Sequence, residues 1–155
     1  MEQAVRERQF IEQVGLFMEN HGMPRMAGRL LGLLLICDPP EQSSAELAAV
    51  LTASKGSIST NTRLLLKGEL IEKVAMPGQR GTWFRVRPHA WHQIMEHQLT
   101  GITSFRRLLD EGIGMMAGES AARIERLKEA RDFYGFMETE FPLVLQHWRQ
   151  RQGDS

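Results

Sequence analysis

Seven basic residues fall between Ser54 and Pro88: Lys55, Arg63, Lys67, Lys73, Arg80, Arg85 and Arg87. Glu69 and Glu72 are the only acids there, giving a local charge of +5 in a chain of zero net charge, so all other residues together carry −5. Cations bind a polyanion largely by neutralising phosphates and releasing counterions, so the position of charge outweighs its total. In the first part of this segment Ile58, Thr62 and Leu65 recur at i, i+4 and i+7 and should face a core. At roughly 100° per residue, Gly56, Ser59, Thr60, Arg63 and Lys67 then share the opposite face of one helix. Small residues near its start would let it press against base edges, while Ser57, Ser59, Thr60 and Asn61 could exchange hydrogen bonds with bases or phosphates. Arg63 is the residue able to grip guanine through two nitrogens, a contact worth about 1–3 kcal/mol of discrimination.

Downstream, Arg80 sits in the short tip Gly78-Gln79-Arg80-Gly81, where a guanidinium suits a minor groove or a phosphate. Arg85 and Arg87 share a strand face with Trp83, from which they reach the DNA backbone or simply pair with Glu72. The candidate DNA-binding set is therefore Lys55, Gly56, Ser57, Ser59, Thr60, Asn61, Arg63, Lys67, Arg80 and Arg85. The plainer alternative is a solvated amphipathic helix followed by a solubilising loop. A basic hairpin at this distance weighs against it. Arg25 and Arg29, one turn apart, either touch phosphate or pair with an acid of the first helix.

Other chemistries find little support. The sequence has no phosphate-cradling glycine loop, no GxSxG and no HExxH, and Asp110-Glu111 lies beside arginines as solvated charge would. No catalytic role is expected. His89 and His92 are three apart with His97 nearby, but no third ligand follows in helical register, so solvated or capping histidines are favoured over a metal. A single Cys37 excludes an internal disulfide and a cysteine zinc cluster. It is either a buried small hydrophobe or a redox sensor, the former favoured. Phe17, Met18, Trp91, Met95, Phe133, Tyr134, Phe136 and Met137 could build an aromatic cage for a cationic effector, though packing is the simpler use. No cofactor is expected.

These residues need elements to hold them. The chain has 155 residues, 42% hydrophobic and 25% charged, enough for one real core. No run of about 18 apolar residues exists to span a membrane, and the first ten residues lack a signal peptide's apolar region. With one cysteine, this suggests a cytoplasmic protein. Helices are expected over Val5 to His21, with Phe10, Val14 and Phe17 as its stripe, and over Arg25 to Ile36, apolar on most sides and so central. Gly28 and Gly32 on the second permit close approach of another helix. Ser43 with Glu46 forms a capping box for a third helix, Ser44 to Leu51. Ser54 is the N-cap of the fourth, which ends at Gly68. Strands follow at about Ile71 to Met76 and Thr82 to Arg87. Two long helical patterns close the chain. One runs through Trp91, Met95, Gln98, Ile102, Phe105 and Leu109, the other through Leu127, Ala130, Tyr134, Met137, Phe141, Val144 and Trp148. Gly112, Gly114 and Gly118 should break them apart, and Pro142 should kink or restart the last helix.

Helix, tight polar turn, helix and basic hairpin is the layout of a winged helix-turn-helix, whose second helix fits the major groove. The expected architecture is mainly α with a small β-wing. Residues 1–22 form a supporting or dimerising helix, 23–88 the DNA-binding winged domain, and 89–155 a helical dimerisation region. The sequence resembles the MarR superfamily of winged-helix regulators, and more closely its GbsR-like branch, the repressors of glycine betaine synthesis. Gly22-Met23-Pro24-Arg25-Met26-Ala27-Gly28-Arg29, Leu47-Ala48, Ser54 through Ser59, and Pro77-Gly78 with Arg80 carry the likeness. It covers about Phe10 to Pro88; the last third matches only in being helical. The resemblance implies a homodimer on a pseudo-palindromic operator and control by a small molecule or partner. Where a MarR wing usually places an acid before its arginine, this chain has Gln79. The apolar stripes independently suggest a dimer, being more than one small winged domain can cover. The rival reading is a winged module that binds protein and has lost DNA. It would bury Arg63 or Arg80 in ion pairs, or cover the fourth helix.

Overall fold

Leu30, Leu31, Leu33 and Leu34 are all buried on one short helix, so that helix is the centre around which the first half of the chain folds. The computed structural model describes residues 1–153; Asp154 and Ser155, the end of the region expected at 89–155, lie outside the described residues. In chain order the elements are α1 (Glu2–Asn20), α2 (Arg25–Ile36), β1 (Gln42–Ser43), α3 (Ser44–Leu51), α4 (Lys55–Lys67), β2 (Ile71–Val74), β3 (Trp83–Val86), α5 (Ala90–Met115) and α6 (Ala121–Gly153). They divide into two compact units, Met1–Trp91 and the residues from His92 onward. Among the described residues no helix is long and apolar enough to cross a membrane.

In the first unit, α2 is covered by Ile11 of α1, Leu47 and Leu51 of α3, Ile58 and Leu65 of α4, Ile71 of β2 and Phe84 of β3. The α1–α2 crossing is backbone to backbone. A Cβ on Gly28 would lie 2.7 Å from the Gly15 Cα and 2.7 Å from the Val14 carbonyl oxygen, so only glycine fits. The face of α1 used here is Ile11, Val14 and Gly15, so of the expected Phe10–Val14–Phe17 stripe only Val14 meets α2. Phe10 and Phe17 stay exposed, because α2 takes the glycine side of the helix. Arg25 and Arg29 both pair with Glu12 of α1, at 3.1 and 2.7 Å, the ion pair with an acid of the first helix that was one of their two expected uses.

Helix α3 begins on the expected capping box. Ser43 Oγ accepts the Glu46 N–H at 3.2 Å, and Glu46 Oε2 accepts the Ser43 N–H at 2.7 Å. Thr52, left-handed at φ 52°, ends α3 and turns the chain toward α4. The sheet is antiparallel in the order β1-β3-β2, with Lys73 opposite Phe84 and Glu72 opposite Arg85. The two-residue β1, unforeseen in the sequence, adds Gln42 and Ser43 to the far edge of β3.

In the second unit, Phe105 of α5 meets Tyr134 of α6 edge-on with ring centroids 4.8 Å apart. Arg106 reaches both Asp110 and Glu138. Arg149 of α6 pairs with Glu96, whose other partner is His92 at 3.0 Å. Helix α6 runs unbroken through Pro142, contrary to a restart there. Near its end the buried residue is Leu145; Val144 and Trp148, expected on the seam, stay exposed in the single chain.

Candidate nucleic-acid interface

The exposed side of α4 is set by what its other side must bury. Ile58, Thr62 and Leu65 point into the core, and Thr62 meets the polar requirement of burial by donating to the Ile58 carbonyl at 2.7 Å. Ser54 caps the helix, its Oγ accepting the Ser57 N–H at 3.1 Å. The remaining arc presents Lys55, Gly56, Ser59, Thr60, Arg63 and Lys67 to solvent, with Ser57 half-buried at its margin. Asn61 departs from the expectation. It is 8% exposed and donates through Nδ2 to the Ser57 carbonyl at 2.8 Å, so it lies on the flank of the buried stripe.

The hairpin tip is a turn in which the Gln79 N–H donates to the Met76 carbonyl at 3.1 Å. Pro77 and Gly78 fill its central positions, and Gly78 takes the φ of 74° that such a turn demands. Arg80 follows, exposed. Lys73 also stands exposed on β2, on the sheet face that Phe84 shares. Sequence reasoning counted its charge but left it out of the site; strand pairing supplies the missing signal. Among the described residues Lys55, Arg63, Lys67, Lys73 and Arg80 make no ion pair.

Arg85 is different. Its Nε donates to Glu72 at 2.7 Å and a terminal nitrogen lies 3.5 Å from Glu41, so two carboxylates already neutralise it. The hydrogen bond from Arg85 to Glu72 raises the guanidinium pKa further. Within the expected DNA-binding set it is the one cation held in ion pairs among the described residues; Arg87, outside that set, pairs with Glu69 at 3.2 Å. Four of the unpaired cations, Lys55, Arg63, Lys73 and Arg80, border a cleft of about 740 Å³ between the start of α3, the side of α4 and the hairpin.

Comparison with known proteins decides the family. HTH-type transcriptional regulator MmpR5 of Mycobacterium tuberculosis (strain ATCC 25618 / H37Rv) is 40% identical over 146 residues, covering 94% of this chain and 88% of its own. The chain belongs to the MarR family of transcriptional regulators. Residues 89–151 match the pattern of an MmpR5-like MarR family transcriptional regulator. A crystal structure described as a transcriptional regulator superposes with a TM-score of 0.81 at 39% identity, covering 94% of this chain and 99% of that one. The winged-helix, DNA-binding assignment of this regulator and its non-enzymatic class follow from that membership. The specific family pattern falls on the helices after the wing, where the sequence offered a likeness in helicity alone. The likeness to GbsR-like regulators rests on the residues quoted for it.

Proposed function

We propose that this MarR-family regulator binds a pseudo-palindromic operator as a homodimer, represses transcription there, and is released by a small molecule. One observation carries the DNA-reading part. Lys55, Arg63, Lys67, Lys73 and Arg80 stand exposed without a carboxylate partner, while Arg85 and Arg87 on the same hairpin are matched by glutamates. Unmatched cations cost a folded domain self-repulsion, and a phosphate backbone relieves it. In this reading α4 enters the major groove through Ser59, Thr60 and Arg63. Lys55, Gly56 and Ser57 approach the phosphates at its start, Lys67 does so at its end, and Arg80 grips the flanking backbone or minor groove.

The homodimer is supported by apolar side chains that a lone chain leaves in water: Phe10 and Phe17 on α1, and Phe133, Phe136, Val144 and Trp148 on α6. A two-fold axis would place two α4 helices about 34 Å apart, one helical turn of DNA. Repression and release are what the resemblance of the winged segment to GbsR-like repressors implies. The protein-docking rival is disfavoured because neither Arg63 nor Arg80 is consumed by an ion pair and α4 is uncovered.

The test is fluorescence anisotropy with a labelled duplex from upstream of the regulator's own gene, at several salt concentrations. Binding should weaken steeply with salt and be lost when Arg63→Ala and Arg80→Ala are combined. Salt-independent binding, or full affinity in the double variant, would overturn the reading.

A further inference from the structure

The bend between α3 and α4 decides where the reading helix begins, and a guanidinium from α2 reaches it. Arg29 Nε donates to Glu12 of α1 at 2.7 Å, Nη2 donates to the Leu51 carbonyl at 3.4 Å, and Nη1 lies 3.9 Å from the Met26 sulfur. Each nitrogen of the fork thus has a partner inside the domain. Leu51 is the last residue of α3, where carbonyls lack helical partners and the helix dipole favours a cation. Room for the Arg29 stem comes from Gly15, where a Cβ would lie 2.8 Å from Arg29 Cγ. Arg25, one turn earlier, shares Glu12 at 3.1 Å and among the described residues makes no hydrogen bond to the bend.

We propose that Arg29 is a positioning residue for DNA reading: shared between Glu12 of α1 and the Leu51 carbonyl, its guanidinium fixes the bend from which α4 sets out. The tie itself stands on the geometry; its consequence for DNA rests on the operator reading given above. Beyond Leu51 the chain has only left-handed Thr52, Ala53 and the cap Ser54 before α4 starts, so the bend sets the aim of the helix. Arg63 lies about 12 Å along α4 from its start, and a tilt of roughly 10° at the bend displaces it by about 2 Å. A two-nitrogen contact to a base does not survive such a shift. Lys55 and Lys67, point charges on flexible stems, keep their phosphates through it. Loss of the tie therefore costs discrimination between sequences and spares affinity common to all of them.

Amide hydrogen exchange of the full-length protein without DNA, resolved by residue with NMR, tests the tie. The Thr52 and Ala53 N–H groups donate to the Ala49 and Ala48 carbonyls at 3.3 and 3.0 Å and report on the bend. Arg29→Met keeps the stem and removes the fork, and should speed exchange at both amides about tenfold. Arg25→Met makes the same change against the same acid and should leave them at the wild-type rate. Arg29→Lys, with one nitrogen for two partners, should fall between, and is read in place of Arg29→Met if that variant loses the wild-type circular dichroism spectrum. Unchanged exchange in the Arg29 variant, or equal acceleration in Arg25→Met, overturns the tie. Anisotropy with the labelled upstream duplex and a scrambled duplex of equal length tests the consequence. Arg29→Met should lower the preference for the upstream duplex about tenfold, with affinity for the scrambled duplex and its salt slope unchanged, while Arg25→Met keeps the preference. An equal loss on both duplexes, or a salt slope smaller by about one, overturns the positioning role, the second by making Arg29 a phosphate contact. Should exchange respond as expected while the wild-type protein fails to tell the duplexes apart, the operator reading falls and the tie stands. Should the wild-type protein prefer the upstream duplex and Arg29→Met keep that preference, the operator reading stands and the positioning role falls.

Discussion

Arg63 and Arg85 carry the same guanidinium into opposite circumstances, one free at the surface of α4, the other held between Glu72 and Glu41. Arg63→Ala should therefore cost specific binding about 1–3 kcal/mol and relax the preference at one base pair, read by competition with single-base operator variants. Arg85→Ala should leave DNA affinity nearly unchanged and instead expose Glu72 and Glu41 unpaired. A loss with Arg85→Ala equal to that with Arg80→Ala would contradict the division. Cys37 is likewise defined by its surroundings. Half-buried, its thiol is pushed up chiefly by burial and further by Glu41 and Asp38, so little thiolate exists at neutral pH. Native protein should react with Ellman's reagent at least about tenfold slower than a free thiol, and catch up once unfolded. Asn61 shows the limit of reading single residues. Its type suits base contact, yet it stands one short step from Ile58 and Leu65 around the helix, and the core claims it.

At the scale of elements, caps and crossings make separate contributions. The Ser43 N–H, and after it the Ser43 hydroxyl, hold the Glu46 carboxyl below the ordinary glutamate value of 4.5. A folded-state pKa that is depressed gives stability present above the unfolded value and lost as pH falls through the folded one. Glu46→Ala should thus cost about 0.5 kcal/mol at neutral pH, a modest figure because the group is exposed to solvent. Urea unfolding should show the difference shrinking in acid. Gly28→Ala should cost about 1–3 kcal/mol by thermal or urea unfolding, because a Cβ there meets the α1 backbone rather than a flexible side chain. The bounds of α2, α3 and α4 were legible because Pro39-Pro40, the Ser43–Glu46 pair, Ser54 and Gly68 punctuate them. β1 was not, since two residues carry no periodicity and only the pairing with β3 defines them. Nor was the working face of α1 in full: sequence weights side chains, and beside Ile11 and Val14 the closest approach is at Gly15, which has none.

For the whole molecule, charge and assembly are the measurable properties. Lys67→Ala should weaken binding to all duplexes alike and reduce the slope of log affinity against log salt by about one. Sedimentation should give a dimer that charged substitutions of the exposed Phe136 and Trp148 drive toward monomer, without loss of helix content. The winged half of the molecule could be read from local patterns. The other half could not be read as more than helix, although residues 89–151 carry the family pattern. Long helices repeat apolar spacing whatever their partner, so a period names a face and leaves its neighbour open.

The bare crossing at Gly15 and Gly28 leaves no compliant material between the two helices, and Glu12 rivets it with Arg25 and Arg29. Behind α3 and α4 the shared wall is therefore a joined pair of helices, α1 locked to α2, and not α2 by itself.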